Sequence, residues 1–269
     1  MTKVTVNLCA ISENICVICG LSYLCPMNQN TNKTVLILGA NSDVAKQAIK
    51  QYIQKGFSVM AASRNTKSLE EFVSKNAFHA KVTVLYFDAV DFDSHQKFYD
   101  DLSVKPHIVV YAAGFLAENK KALHDFGSAR QMMQINYMGA VSILNIIAMD
   151  KSNKSLERII GLSSLSGVRG RKSNFVYGST KAAFTTYLVG LRQELRQRDI
   201  VVNALVIGYI DTKINQGLAL NKNLMMQPDY VAKFIVNAGH SFTIVPDFKW
   251  KIIYHILKLL PESLVAKLP

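Results

Sequence analysis

Thr34-Val-Leu-Ile-Leu-Gly-Ala-Asn-Ser-Asp-Val-Ala45 decides how the chain folds. Five residues of unbroken apolar and β-branched character end at Gly39, and a helical pattern starts at once. An uninterrupted apolar run of this length fits a strand buried on both faces of a parallel sheet. Val44–Lys55 then shows helical periodicity and ends at Gly56, a natural helix terminator. The turn between strand and helix aims backbone N–H groups, aided by the helix N-terminus, at an anion such as a pyrophosphate. Read alone, it is equally an ordinary turn capped by Ser42 or Asp43.

The same unit repeats outward from this stretch. Strands are expected at Phe57–Ala62, Val82–Phe87, His107–Ala112, Arg158–Leu162, Val201–Ile207 and Ser241–Val245. Helices are expected at Lys67–Lys75, Phe92–Leu102, Ser128–Asp150, Phe175–Arg198 and Pro228–Ala238. Such alternation predicts an α/β fold with a doubly wound parallel sheet, and no linker marks a second domain. The expected domain is 33–246, followed by an amphipathic tail, 247–269.

The chain has 269 residues, 49% hydrophobic and 19% charged, which excludes a disordered protein. No uninterrupted apolar run reaches the roughly 20 residues of a membrane-spanning helix. The net charge of +12 points to an anionic partner: nucleic acid, an acidic membrane or a phosphate-bearing ligand. The basic residues are scattered and no nucleic-acid module is recognisable, so nucleic acid is excluded as a partner. All four cysteines, Cys9, Cys16, Cys19 and Cys25, lie at the N-terminus. One C-x-x-C without a second pair or nearby histidines makes neither a zinc site nor a disulfide framework, and no metal site is expected. Residues 1–32 read as an appendage outside the fold, with Met27 as an alternative start, and they do not resemble a secretory signal.

In doubly wound sheets, ligands bind beyond the carboxyl ends of the strands. After the first strand stand Gly39, Asn41, Ser42, Asp43 and Val44. After the second comes Ala62-Ser-Arg-Asn65. A carboxylate there would mark NAD(H), whereas Arg64 suits the 2′-phosphate of NADP(H); a solvated surface arginine is the alternative. Asp88 follows the third strand, where it could meet an adenine edge or be a plain loop residue. Tyr111-Ala-Ala-Gly114 follows the fourth, and its Ala112, Ala113 and Gly114 permit close backbone approach to a cofactor. Ser163 and Ser164 end the fifth. Thirteen residues past Ser164 is Tyr177, and four further on is Lys181. On a helix these two share one face, about 5–6 Å apart. An ammonium beside a phenol favours phenolate and makes a usable acid/base near neutral pH. A second such pair, Tyr254 and Lys258, has no serine-bearing strand before it and reads as incidental.

Together these residues resemble the short-chain dehydrogenase/reductase family over Lys33–Val245. The resemblance implies a Rossmann-like single domain and an oxidoreductase acting on CH–OH/C=O groups. It makes Tyr177 the catalytic acid/base, with Lys181 tuning it, and places both Tyr177 and Lys181 against the cofactor, Lys181 on the nicotinamide ribose. Ser164 would hold the substrate oxygen, and Asn136 a proton-relay water. Ile210 would meet the carboxamide through its backbone and Thr212 the phosphates, with NADP(H) preferred over NAD(H). The chain departs from the family at the glycine motif, which keeps only Gly39, and has Ile207 where the family has proline. Asp43 would repel a pyrophosphate unless turned away to cap the helix.

The segment Ser163–Lys181 further resembles the decaprenylphosphoryl-2-keto-pentose reductase branch. That likeness implies a keto-sugar substrate on polyprenyl phosphate, a role in cell-envelope biosynthesis, a flavin-dependent oxidase partner and a homo-oligomer. It also implies a cytoplasmic location, on the cytoplasmic face of the inner membrane if the tail binds lipid. Arg169, Arg171 and Lys172 would then form a substrate-phosphate site, or else a solvated basic loop. In the tail, Lys251, His255 and Lys258 form a polar stripe, and Trp250, Ile252, Ile253, Ile256, Leu257 and Leu260 cover the rest. Such a helix suits an anionic bilayer, the substrate pocket or a partner subunit. The alternatives to the keto-sugar are a hydrophobic ketone, such as a 3-oxoacyl or steroid-like molecule, and a non-catalytic dinucleotide-binding protein.

Overall fold

The computed structural model describes residues 16–18, 21–23, 33–212 and 221–267. Strands β1 (Cys16–Ile18) and β2 (Leu21–Tyr23) pair as a small antiparallel hairpin. The rest of the N-terminal appendage, Met27 included, lies outside the described residues, as do the cysteine side chains.

From Thr34 the alternation is as the apolar pattern requires. The strands are β3 (Thr34–Leu38), β4 (Ser58–Ser63), β5 (Val82–Tyr86), β6 (Ile108–Tyr111), β7 (Arg158–Ser164), β8 (Val201–Ile207) and β9 (Thr243–Ile244). All are parallel, in the order β5-β4-β3-β6-β7-β8-β9. The helices are α1 (Asp43–Gln54), α2 (Thr66–Lys75), α3 (Ser94–Asp100), α4 (Asn119–His124), α5 (Phe126–Met133), α6 (Gly139–Met149), α7 (Phe175–Leu195), α8 (Pro228–Val236), α9 (Phe248–Leu259) and α10 (Glu262–Val265). This is the Rossmann-like single domain, and its order reverses between β3 and β6, which opens a crevice there.

Two apolar layers enclose the sheet. Val35 and Ile37 of β3 pack with α1, α2, α8 and α9. Leu36 and Leu38, their alternate neighbours, pack with α6 and α7. β3 is therefore apolar at every position because both faces are covered.

The expected helix Ser128–Asp150 is two helices, α5 and α6, joined by a π-helical turn at Gln134–Met138. The Tyr111 hydroxyl on β6 donates to the Ile135 carbonyl at 2.6 Å. That buried bond supports the widened turn, a feature that recurs at functional sites. The 24-residue stretch Phe126–Met149 is long and apolar enough to cross a membrane. Here Ile143, Leu144 and Ile147 of that stretch are core residues under the sheet.

The tail packs on the domain. Asp247 caps α9, accepting from the backbone N–H of Lys249 and Trp250. Trp250 and Leu257 are buried in the same layer as α1 and α8.

Candidate active site

A cavity of about 950 Å³ lies at the carboxyl ends of β3, β4, β6, β7 and β8. Its size is that of a cofactor or ligand site. Sixteen of the residues singled out from sequence can be placed against it individually.

One half is built by the β3–α1 turn. Gly39 has φ +84°, in the region that glycine adopts without cost. A Cβ there would collide with the backbone of Ala113 and stand 2.8 Å from the Ala112 carbonyl carbon. The two loops can pack this closely only because position 39 lacks a side chain. Ser42 caps α1, its Oγ accepting from Ala45 N–H at 3.1 Å. Asp43 therefore is not the cap; it sits in the first turn of α1 and lines the cavity with Val44. Asn41 Nδ2 donates to Ser63 Oγ at 3.0 Å and to the Asn65 carbonyl at 2.7 Å, tying the turn to the end of β4.

Arg64 lines the same half, more than half exposed, with Nε 3.9 Å from Asp88 Oδ1. Asp88 also accepts from Val90 N–H. Ala112, Ala113, Gly114, Ile210 and Thr212 complete the wall. Asn41 Oδ1 and Thr212 Oγ1 are both buried and make no hydrogen bond among the described residues. Thr212 Oγ1 can donate to a phosphate and Asn41 Oδ1 can accept from a ribose hydroxyl, so with the helix N-terminus and the glycine cradle they fit a phosphate-bearing dinucleotide. The residues that would hold it are Gly39, Asn41, Ser42, Val44, Ala113 and Thr212, with Arg64 at the ribose end.

The other half carries the reactive groups. Ser164 ends β7, while Tyr177 and Lys181 project from α7 onto the same cavity. Burial pushes the Tyr177 phenol up to about 12, and a hydrogen bond with Ser164 pulls in the opposite direction. The expected lowering by Lys181 does not appear: its Nζ lies 5.9 Å from the centre of the tyrosine ring and donates to the Leu162 carbonyl at 2.9 Å. Tyr177 is thus held protonated, ready to give a proton. Burial brings Lys181 down to about 8.

Lys181 therefore carries its charge below about pH 8 and loses it above. A charged ammonium favours negative charge developing on a nearby oxygen. Reductive kcat/KM should be flat below pH 8 and fall above it. In Lys181→Arg, whose guanidinium stays charged, that alkaline limb should disappear even if the plateau is lower. A pH–rate profile of both proteins checks this.

Asn136 is fully buried beneath this half, but its side chain does not line the cavity. Its Oδ1 accepts from Phe115 N–H at 2.7 Å, and Nδ2 donates to the Phe115 carbonyl at 2.9 Å and to Thr180 Oγ1 at 3.1 Å. The amide clamps the β6 loop to the π turn and α7, and its Oδ1 keeps a second acceptor site.

The basic loop divides. Arg171 lines the cavity and donates to Ser166 Oγ at 3.2 Å. Arg169 turns to the tail, donating to the Lys258 carbonyl at 3.0 Å. Lys172 is exposed and outside the cavity wall. The three do not form one cluster.

Several wall residues were not among the expected ones. Asn174 Nδ2 donates to Ser166 Oγ at 2.9 Å. Arg171 Nε and Asn174 Oδ1 are buried without a hydrogen-bond partner among the described residues. Beside Ser166, then, stand one spare donor and one spare acceptor. Trp250 closes the far wall, edge-on to Tyr209 and flat against Gly208, with Nε1 donating to the Leu224 carbonyl at 2.8 Å. The clue for Ser166 and Asn174 was their place between Ser164 and Tyr177; Trp250 answers to the alternative that the tail packs on the substrate pocket.

A parallel sheet with this crevice and this Ser/Tyr/Lys set defines a class: oxidoreductases that interconvert alcohols and carbonyl groups. The family model for short chain dehydrogenases matches residues 33–223, and the chain belongs to that family. It is 25% identical over 243 residues to an uncharacterized oxidoreductase of Mycobacterium tuberculosis, covering 87% of this chain and 96% of that one. It is 27% identical over 207 residues to an uncharacterized oxidoreductase of Staphylococcus epidermidis, covering 77% of this chain and 90% of that one. Among solved structures, a short chain dehydrogenase from Burkholderia cenocepacia in complex with NADP superposes with a TM-score of 0.77. It is 19% identical, with 89% of this chain and 98% of that chain covered. A gluconate 5-dehydrogenase from the same organism, in complex with NADP and tartrate, gives a TM-score of 0.73 at 16% identity, covering 82% and 95%.

Proposed function

We propose that this chain is an NADP(H)-dependent reductase whose substrate is a keto-sugar carried on polyprenyl phosphate. The observation that carries the reading is the pair of unsatisfied groups beside Ser166. Arg171 Nε offers a donor and Asn174 Oδ1 an acceptor, next to Ser164 and Tyr177. A sugar hydroxyl both donates and accepts, and a guanidinium suits a phosphate. Arg64 at the ribose end favours the 2′-phosphate of NADP(H). The ketone would come from oxidation of the corresponding alcohol by a flavin-dependent oxidase.

A reduced nicotinamide, when bound, supplies hydride. Ser164 hydrogen-bonds the carbonyl oxygen and orients it. Tyr177 donates its proton to the oxygen as charge develops there, and the Lys181 ammonium stabilises that charge. Asn136 keeps Phe115 and α7 in register, so that Tyr177 and Lys181 stay in place.

The apolar wall of Trp250, Tyr209 and Leu165 favours a second reading, a reductase of a hydrophobic ketone. NADPH consumption on a polyprenylphosphoryl keto-sugar and on an uncharged hydrophobic ketone separates the two. Arg171→Ala is expected to lower kcat/KM on the phosphorylated substrate by about 10–100-fold, the worth of one charge-assisted hydrogen bond. The uncharged ketone should be unaffected. Turnover of that ketone alone, indifferent to Arg171, overturns the keto-sugar reading.

A further inference from the structure

The tail helix has two apolar faces, and only one of them is used by the fold. At 100° per residue, Trp250 and Leu257 fall on the face buried against the domain. Phe248, Ile252, Ile256 and Leu259 fall on the opposite face, and they are 74%, 44%, 52% and 82% exposed. Leu264, on α10 beyond Pro261, is exposed as well. The stripe has basic edges. Lys251, His255 and Lys258 run along one side, Lys249 stands on the other, and all four are exposed. From Phe248 to the end of the chain there are four lysines and one acid, Glu262. Asp247 is engaged in capping α9, and Glu262 lies 4.0 Å from Arg169, which already offsets its charge.

We propose that the outward face of α9 docks on an anionic lipid bilayer. Phenylalanine, isoleucine and leucine would enter the acyl boundary while the lysines reach up to the headgroups. Charge decides between this occupant and a second copy of the chain. Self-pairing through the stripe would set lysine edges against lysine edges with only Glu262 to offset them, whereas an acidic membrane complements both edges. The surface does not depend on which ketone is reduced. It does bear on access, because the inner face of the same helix carries Trp250, part of the cavity wall. A docked α9 holds the cavity about one helix diameter, roughly 10 Å, from the lipid.

The test is co-sedimentation of the full chain with vesicles of phosphatidylcholine mixed with phosphatidylglycerol, against phosphatidylcholine alone. Binding to the anionic vesicles, weakened by salt, is expected. Ile252→Glu with Ile256→Glu should reduce it at least about tenfold, as should Lys251→Glu with Lys258→Glu. Circular dichroism melts should show both variants folded. Trp250 is the sole tryptophan and faces inward, so its emission should ignore vesicles, while Phe248→Trp should add a component that blue-shifts on binding. No sedimentation of the wild type, or sedimentation unchanged by both double variants, overturns the proposal. So does an oligomer that Ile252→Glu with Ile256→Glu splits while no form binds vesicles, which would assign the stripe to a second copy.

Discussion

Tyr177→Phe should lower turnover by about 10²–10⁴-fold, the usual worth of a positioned general acid, while the protein stays folded. The substitution removes one hydroxyl and keeps the ring. Tyr177 packs against the small apolar cluster of Ala117, Ala122, Ala129 and Met132, a contact that phenylalanine repeats. What disappears is the protonated hydroxyl placed beside Ser164. Burial raises that phenol to about 12, so through the whole ordinary assay range it is the protonated acid rather than phenolate. Its loss should therefore appear as a drop in kcat at every pH, not as a shift of the profile. Cofactor affinity should change little by comparison, because the Gly39 turn, Asn41, Arg64 and Thr212 lie on the other half of the cavity. Single-turnover NADPH consumption together with cofactor titration checks both parts. A Tyr177→Phe protein that keeps full reductase activity refutes the assignment of the acid.

The strands were legible because they are buried on both faces. Val35 to Leu38 are apolar without interruption, and each of the two layers takes alternate residues. Tyr177 and Lys181 were legible because an i,i+4 spacing on any helix puts them on one face. What sequence could not show depends on tertiary bonds. The break in the helix at Gln134 rests on Tyr111 reaching Ile135 and Asn136 reaching Phe115, partners 24 and 21 residues away. α4 is short and polar, with no periodicity to reveal it. The basic loop looked like one anion site, yet neighbouring residues in a loop point in different directions, and only Arg171 faces the cavity. The tail's periodicity showed one apolar expanse and a polar stripe. It could not show that the expanse is divided, with Trp250 turned inward and Ile252 outward.

Gly39→Ala should be the most damaging single-atom-group change in the cofactor half. Gly39 is the one glycine left from the family's glycine motif, so the turn has no second position to absorb strain. Its φ of +84° alone would cost an L-residue about 1–2 kcal/mol. The added Cβ would also overlap the Ala113 backbone, which is held by the Ala112 N–H bond to the Leu38 carbonyl at 2.8 Å. Backbone just past the ends of two paired strands, pinned by these bonds, does not yield as a side chain would. Relief requires the β3–α1 turn to lift, which breaks the Gly39 and Ala40 N–H bonds to the Ala62 carbonyl. Losing these on top of the strain brings the penalty to about 3–5 kcal/mol. For a domain of this size that is a fall in Tm of roughly 6–20 °C. Cofactor affinity should fall by at least about tenfold in the fraction that stays folded, since the lifted turn no longer aims its N–H groups at a phosphate. Thermal melts with and without NADPH measure both effects. An unchanged Tm with unchanged NADPH affinity would show that the turn tolerates a side chain, and that the close approach of Gly39 to Ala113 is not what shapes the dinucleotide half.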